Sequence, residues 1–186
     1  MSNGARLILF LRYIYSRDLG RNKIAELRKD PVIARWVIIS TERGKKPLHF
    51  TVKKPGPSKE KKCPFCEGNE ATTPPEIISY RKKGTRPNAP GWRIRVVPNK
   101  YPALRIGGDS NKREEGIYKM MNGIGAHEVI IETPHHIEDV FSLGEKVVEE
   151  VLWVYRERII ELMKNPLFKE ELILLRNKDL VRLEII

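Results

Sequence analysis

The chain has 186 residues, of which 40% are hydrophobic and 32% are charged. This composition is typical of a soluble globular protein with a hydrophobic core, and no apolar run is long enough to cross a bilayer, so we expect no membrane partner. Two cysteines are too few for a disulfide framework, which favours a reducing, cytoplasmic setting.

The net charge of +11 comes entirely from the first third of the chain. Residues 1–62 carry 16 Lys and Arg against 5 Asp and Glu, whereas residues 63–186 carry 19 of each kind. A basic segment of this kind binds nucleic acid, an anionic membrane or a phosphorylated small ligand, or it forms a solvated lysine-rich surface. Nucleic-acid binding would require basic residues interleaved with aromatic residues on one face, or a recognised module. The sequence shows neither, so we expect no nucleic-acid partner.

The first half of the chain contains two predicted strands separated by a long basic loop. Residues 1–23 show no pairing pattern and are assigned as an N-terminal extension. The β-branched and aromatic run Ala34–Thr41 predicts a strand, and the preceding K-D-P-V sequence predicts a turn. The stretch Trp92–Leu104 begins with alternating apolar residues, which predicts a second strand that ends at Pro98.

The second half is predicted to contain two strands and one long helix. A polar loop at 107–116 precedes a third strand at His127–Pro134. The sequence S-L-G-E at Ser142–Glu145 is a capping-box pattern, and Asn165–Pro166 ends the helix. Its predicted apolar face consists of Val148, Val151, Leu152, Tyr155, Ile159 and Leu162. A fourth strand follows at Glu171–Arg176. Strands joined by loops, with one long helix, predict an α+β fold with a largely antiparallel sheet.

Both cysteines lie in one motif, C-P-F-C, at Cys63 and Cys66. This spacing lets two thiolates reach one tetrahedral metal ion. Thioredoxin-type redox pairs have the same spacing, but they open a helix after a strand. Here the pair follows a lysine-rich loop and precedes Gly68, which favours a knuckle turn. Zinc binding, redox activity and a purely structural role are the three interpretations of the motif.

A zinc site needs about four ligands, and the histidines are the candidates for the remaining two. Two of the four histidines follow the third predicted strand, where the scaffold would fix their direction. Solvent-facing loop histidines are the alternative interpretation. The other two have no spacing that argues for a ligand role. In chain order the four are His49, His127, His135 and His136.

Four separated stretches occur in an order that resembles one known family. They are ELRKDPVIARWVIISTERGKKP, CPFCEGNE, WRIRVVPNKYPAL and GAHEVIIETPHH, which begin at Glu26, Cys63, Trp92 and Gly125. Together they resemble the N-terminal half of galactose-1-phosphate uridylyltransferase, which belongs to the histidine-triad superfamily. The resemblance covers roughly residues 24–175 and implies a histidine-triad-like fold, a mostly antiparallel sheet with one long helix packed on it.

The resemblance implies a nucleotidyl-transfer activity and a zinc cofactor. The family exchanges UMP between UDP-glucose and galactose 1-phosphate, a hexose 1-phosphate, through a uridylylated histidine. Covalent catalysis of this type divides one difficult transfer into two easier ones. Cys63, Cys66 and His136 match three of the family's zinc ligands. His135 or a water molecule would supply the fourth ligand in this chain.

The resemblance also implies a set of nucleotide-binding residues. Arg43 and Lys46 match positions that hold the nucleotide phosphates, although the family often has arginine at the second position. Lysine keeps the charge but loses the bidentate geometry of a guanidinium group. Asn99 matches an asparagine that contacts the nucleotide, and Tyr101 lies where an aromatic residue lines the same pocket.

The catalytic histidine of the family has no counterpart in this sequence. The resemblance places it in a His-x-His motif after the fourth strand, and the first histidine of that motif is the fourth zinc ligand. No histidine follows His136, and DLVRLEII at 179–186 stands where a Gly-rich turn and the motif are expected. We therefore expect a truncated transferase without a catalytic residue, inactive on its own, with a divergent tail at 176–186.

Two alternatives to a truncated uridylyltransferase stay open at the level of sequence. One is a non-catalytic, zinc-stabilised module that binds nucleotide sugars. The other is a fragment of a related nucleotide-sugar phosphorylase. In each case the sequence ELILL at 171–175 is expected to lie at an exposed sheet edge, which favours pairing with a second copy and hence a homodimer.

Overall fold

The structure, a computed structural model, describes residues 25–39, 63–136, 140–165, 174–176 and 182–185. These residues form antiparallel sheets and one α-helix, which confirms the predicted α+β class. Among the described residues, no helix combines the length and the apolar character that a membrane span requires.

The elements are numbered in chain order, and the helix α1 spans Glu145–Met163. Two short 3-10 turns lie at Glu70–Thr72 and Val140–Leu143. The strands are β1 (Glu26–Lys29), β2 (Trp36–Ile39), β3 (Ile78–Arg81), β4 (Trp92–Pro98), β5 (Arg113–Glu115), β6 (Tyr118–Asn122), β7 (Glu128–Ile131), β8 (Leu174–Arg176) and β9 (Arg182–Ile185).

The strands belong to two sheets. One has four strands in the order β2-β1-β6-β5, and the other has five in the order β3-β4-β7-β9-β8. The second predicted strand has the observed bounds, since β4 ends at Pro98 as predicted. The predicted strands at 34–41, 127–134 and 171–176 contain β2, β7 and β8, and residues 40–41 and 171–173 of these predictions lie outside the described residues. The polar loop predicted at 107–116 instead ends in β5, which forms a hairpin with β6 through Gly116.

The predicted turn before β2 is present and is built around Asp30. Its carboxylate accepts the backbone N–H groups of Val32 (2.8 Å) and Ile33 (3.2 Å), and these bonds lower the pKa of the carboxyl group. Ala34 takes a positive φ of 59° in this turn, so β2 begins two residues later than the pattern predicts. Strand β1, which the sequence pattern missed, pairs with β2 across the turn.

Strand β7 lies inside the five-stranded sheet and is buried on both faces. It pairs with β4 on one side and with β9 on the other, and all four of its residues are buried. Residues 182–185, assigned to a divergent tail from sequence, therefore form a strand beside the best-buried strand of the structure. Strand β8 is the last strand in the order of this sheet. It includes Leu174 and Leu175 of the ELILL sequence, which was predicted to lie at a sheet edge.

Helix α1 packs against one face of this sheet. Ile94 and Val96 of β4 and Ile130 of β7 form one buried apolar cluster with Val151 and Val154 of the helix. Residues four apart on the helix, such as Val154 and Arg158, lie on the same side and are both buried. This packing confirms the predicted helix on a mostly antiparallel sheet.

The sheet face opposite the helix is covered by a second apolar cluster. Trp92, Val97, Val129 and Ile131 form it, and Phe65 of the C-P-F-C motif packs against it. A register shift between β3 and β4 pairs Tyr80 with Ile94 but Arg81 with Trp92, so β4 carries an extra residue at this point. A bulge of this kind reverses the alternation, which explains why Trp92 and Ile94 lie in different clusters.

Two details of the predicted helix are wrong. Ser142 does not cap it, because a 3-10 turn at Val140–Leu143 intervenes and Gly144, with φ of 75°, occupies the N-cap position without a side-chain hydrogen bond. Leu152, predicted on the buried face, is 58% exposed. The buried face instead includes Arg158, which a hydrophobic pattern cannot detect.

Arg158 is buried because it pairs with a carboxylate of β7. Its guanidinium group donates two hydrogen bonds to Glu128, at 2.8 and 3.0 Å, and the two side chains are 5% and 0% exposed. Tyr155, one turn earlier, donates its hydroxyl hydrogen bond to Glu132, which follows β7 and is also fully buried. The polar groups that β7 places on the helix side are thus matched by polar groups of the helix.

The Arg158–Glu128 pair yields the first prediction. We expect Arg158→Met to lower the free energy of unfolding by about 3–5 kcal/mol, because it leaves a buried carboxylate without its partner. Urea denaturation followed by circular dichroism measures this loss.

Arg156 provides a matched control on the exposed side of the same helix, where it lies over the ring of Trp153. Arg156→Met should cost less than about 1 kcal/mol. The double variant Arg158→Met/Glu128→Leu should recover most of the loss. Equal losses in the Arg158 and Arg156 variants would contradict the prediction.

Candidate functional site

The structure brings three of the sequence-predicted zinc ligands together. The ligand atoms of Cys63, Cys66 and His136 all lie within 4.8 Å of one another, and Cys66 Sγ is 3.7 Å from His136 Nδ1. Bonds of about 2.3 Å to sulfur and 2.0–2.1 Å to nitrogen at tetrahedral angles require ligand atoms about 3.5–3.8 Å apart. The Cys66–His136 separation matches this value and the other two pairs lie within about 1 Å of it, so the three side chains form a possible zinc site.

Backbone and side-chain hydrogen bonds shape the knuckle that carries the two cysteines. The N–H of Cys66 donates to the carbonyl of Cys63 (3.3 Å), and Gly68, with φ of 88°, continues the turn. Asn69 donates from its backbone to the carbonyl of Cys66 and from its side chain to that of Cys63. The N–H of Glu67 donates to the carbonyl of Pro134 (2.9 Å), which ties the knuckle to the segment that carries His136.

Two carboxylates attach the knuckle to the start of β4. Glu67 accepts the N–H of Gly91 (2.6 Å), and Glu70 accepts the indole N–H of Trp92 (2.7 Å) and the N–H of Gly68 (3.1 Å). Burial opposes ionisation of Glu70, but the Trp92 hydrogen bond and the backbone N–H groups outweigh it and lower the pKa of this carboxyl group. Glu67 and Glu70 therefore support the knuckle. The sequence did not reveal this role, because a glutamate in a loop belongs to no recognisable sequence pattern.

The Cys66 thiol is protonated before a metal binds. Burial, together with the hydrogen bond and charge of Cys63, raises the pKa of the Cys66 thiol to about 11. A zinc ion must therefore displace a proton from this thiol at neutral pH, as is usual for cysteine ligands.

The second predicted group of site residues lies at the other end of β7. Asn99 follows β4, and its backbone N–H donates to the carbonyl of His127, which precedes β7 (2.8 Å). The Asn99 carboxamide nitrogen lies 3.0 Å from His127 Nε2, and the N–H of Ala103 donates to His127 Nδ1 (2.9 Å). His127 is 5% exposed, so both ring nitrogens contact the 99–103 loop in a dry environment.

The rest of the 99–105 loop is held by close backbone contacts. The N–H of Tyr101 donates to the Asn99 carboxamide oxygen (2.9 Å), and the N–H of Arg105 donates to the carbonyl of Gly123 (3.1 Å). A Cβ atom on Gly125 would lie 2.7 Å from a Leu104 methyl carbon, so a larger residue here would displace the Leu104 side chain. The loop is fixed, whereas the Tyr101 side chain on it is 77% exposed.

The remaining predicted site residues are placed as follows. Arg43, Lys46 and His49 lie outside the described residues. His135 is exposed, and within the described part of the chain it is not a member of the ligand cluster. The structure thus brings together the predicted zinc ligands, and it places Asn99 and Tyr101 in one loop at the opposite end of β7.

Comparison with known proteins relates the chain to two enzymes. Over 152 residues it is 37% identical to ADP-glucose phosphorylase of Arabidopsis thaliana, covering 80% of this chain and 42% of the relative. It is 24% identical over 146 residues to galactose-1-phosphate uridylyltransferase of Thermotoga maritima, covering 77% of this chain and 38% of that protein. The chain therefore spans about two fifths of the length of these relatives. No protein-family model matches it.

A solved structure of a uridylyltransferase shares the fold. It aligns with a TM-score of 0.54 at 22% sequence identity and covers 86% of this chain and 44% of that chain. At this level of identity the alignment supports the architecture alone. The sequence matches and the fold together confirm the family resemblance that the four motifs indicated.

The ligand geometry yields the second prediction. We expect the purified chain to bind one zinc ion, and we expect Cys66→Ser to weaken zinc binding at least about tenfold, because one of three clustered ligands loses its thiolate. Competition with a chromophoric chelator measures the affinity, and elemental analysis measures the stoichiometry.

His135→Asn serves as the control, since His135 lies next to the cluster in sequence but not in it. This variant should bind zinc like the unsubstituted chain. Absence of stoichiometric zinc, or equal weakening in both variants, would contradict the assignment.

Proposed function

Because this chain is homologous to ADP-glucose phosphorylase and the galactose-1-phosphate uridylyltransferases, we propose that it binds a nucleoside diphosphate sugar. The observation that supports this proposal most directly is that His127 fixes Asn99 at the end of β4. The family resemblance matches Asn99 to a residue that contacts the nucleotide. A polar group held by a rigid scaffold is the usual form of a specificity contact in a ligand site. The loop presents Asn99 together with an exposed aromatic ring, Tyr101.

The proposed role of zinc is structural. Cys63, Cys66 and His136 would hold the ion, which would bind the knuckle to the segment after β7 and stabilise the folded chain. The knuckle already contacts this segment through Glu67 and the start of β4 through Glu70. The metal would thus reinforce contacts that the protein makes on its own.

Arg43 and Lys46 are proposed to neutralise the diphosphate. A nucleoside diphosphate sugar carries two negative phosphates, and cationic side chains at fixed positions are the usual means of binding them. The sequence motif E-R-G-K-K-P supports this role, as does the excess of Lys and Arg in residues 1–62.

We propose that these 186 residues bind the nucleotide sugar without transferring its nucleotidyl group. The exchange of UMP between UDP-glucose and a hexose 1-phosphate requires a histidine nucleophile, and the sequence contains no His-x-His motif. Residues 182–185, beyond the fourth predicted strand, form β9 beside β7 and contain no histidine. A His-x-His motif from outside these 186 residues would be needed to complete the reaction.

The third prediction concerns binding and turnover. Isothermal titration calorimetry should detect binding of UDP-glucose or ADP-glucose, and Asn99→Ala should weaken it about 3- to 10-fold, the usual effect of one lost hydrogen bond. Lys83→Ala, in an exposed loop, should bind like the unsubstituted chain. With galactose 1-phosphate or inorganic phosphate as acceptor, the pure chain should show no turnover.

The proposed binding of a nucleotide sugar and the proposed lack of catalysis can be contradicted independently. If neither nucleotide sugar binds, the binding function is wrong. If the pure chain consumes either nucleotide sugar in the presence of an acceptor, the non-catalytic assignment is wrong, whatever the affinity.

A further inference from the structure

We propose that His127 is a positioning residue that holds Asn99 for nucleotide binding, an inference that rests on the proposed function. The family resemblance assigned no role to His127. In the structure it is the buried centre to which the 99–103 loop is attached, through one backbone carbonyl and both ring nitrogens.

The two ring nitrogens hold different parts of the loop. Nδ1 accepts the N–H of Ala103 and so anchors the distal end of the loop. Neutral imidazole has one N–H group, so the ring proton lies on Nε2, the atom that faces the Asn99 carboxamide. A half-turn of the carboxamide about its terminal bond places its oxygen against this proton.

The carboxamide of Asn99 therefore has two orientations with a hydrogen-bond partner. In one, its oxygen accepts the N–H of Tyr101, as the structure shows, and in the other it accepts Nε2–H of His127. In either orientation the carboxamide oxygen is engaged by a donor of the protein, which leaves the amide N–H groups of Asn99 for a ligand. His127 limits Asn99 to these orientations, and such preorganisation reduces the entropy lost when a ligand binds.

The scaffold around His127 explains why it can act in this way. It is 5% exposed and precedes Glu128, which is fully buried and paired with Arg158 of the helix. Its backbone carbonyl is held by the N–H of Asn99. Strand β7 thus holds the His127 ring in place, and the hydrogen bonds to the ring hold the 99–103 loop.

Two substitutions separate the functions of the ring nitrogens. Asparagine places an oxygen near the position of Nδ1 and nothing at Nε2, so His127→Asn keeps the Ala103 anchor and loses the Asn99 contact. Glutamine reaches the position of Nε2, so His127→Gln keeps the Asn99 contact. We expect His127→Asn to weaken nucleotide-sugar binding about 3- to 10-fold and His127→Gln to bind within about threefold of the unsubstituted chain.

A double-mutant cycle tests whether His127 acts through Asn99. Calorimetry with UDP-glucose and ADP-glucose should show that His127→Asn has no further effect in the Asn99→Ala background, because the side chain it positions is gone. A general effect on folding would instead weaken binding in both backgrounds. Additive effects, or unchanged affinity in His127→Asn, would overturn the inference.

A ligand-free measurement covers the case in which His127→Asn fails to fold. In the unsubstituted chain, nuclear Overhauser effects should connect the His127 ring protons to the Asn99 side-chain amide, and their absence would overturn the inference. If the unsubstituted chain binds neither nucleotide sugar, the proposed function and this inference fall together. If it binds but the cycle is additive, only the role of His127 is wrong.

Discussion

Burial of β7 on both faces is the constraint on which the rest of the structure depends. Val129 and Ile131 face the cluster that contains Phe65, whereas Ile130 faces the helix. Glu128 and Glu132 lie on the helix side without exposure to solvent, so each needs a hydrogen-bond partner in the interior. Arg158 and Tyr155 provide these partners, which sets the register of the helix against the sheet.

The two groups of predicted site residues lie at opposite ends of this strand. His127 and the loop with Asn99 lie before it, and His136 with the cysteine knuckle lies after it. Four residues of strand span about 13 Å, at about 3.3 Å per residue. A zinc ion at the knuckle would therefore act on the loop through the sheet, which agrees with a structural role for the metal.

Sequence patterns predicted the elements whose burial is regular. Strands β4 and β7 are rich in β-branched residues, and helix α1 has apolar residues at helical spacing. Strands β1 and β9 were missed because each has only four residues, of which half or more are charged. A buried Arg158 and a glycine N-cap also contradict the patterns used, since both depend on tertiary contacts.

The candidate site could likewise be predicted from the sequence only in part. The C-x-x-C spacing indicated a metal half-site, but the choice of His136 over His135 came from the family resemblance. Glu67 and Glu70 fix the knuckle through contacts with Gly91 and Trp92, more than twenty residues away in sequence. The contact between His127 and Asn99 spans 28 residues and depends on the pairing of β4 with β7, which local patterns do not specify.

The most direct test of this account is the site-resolved response of the chain to a nucleotide sugar. Two-dimensional nuclear magnetic resonance spectra of the isotope-labelled, zinc-loaded chain would be recorded during titration with UDP-glucose and with ADP-glucose. The largest shifts are expected for the Asn99 side-chain amide, the backbone amides of Tyr101 and Ala103, and the His127 ring. Shifts confined to residues remote from this loop, or no shifts with either ligand, would contradict it.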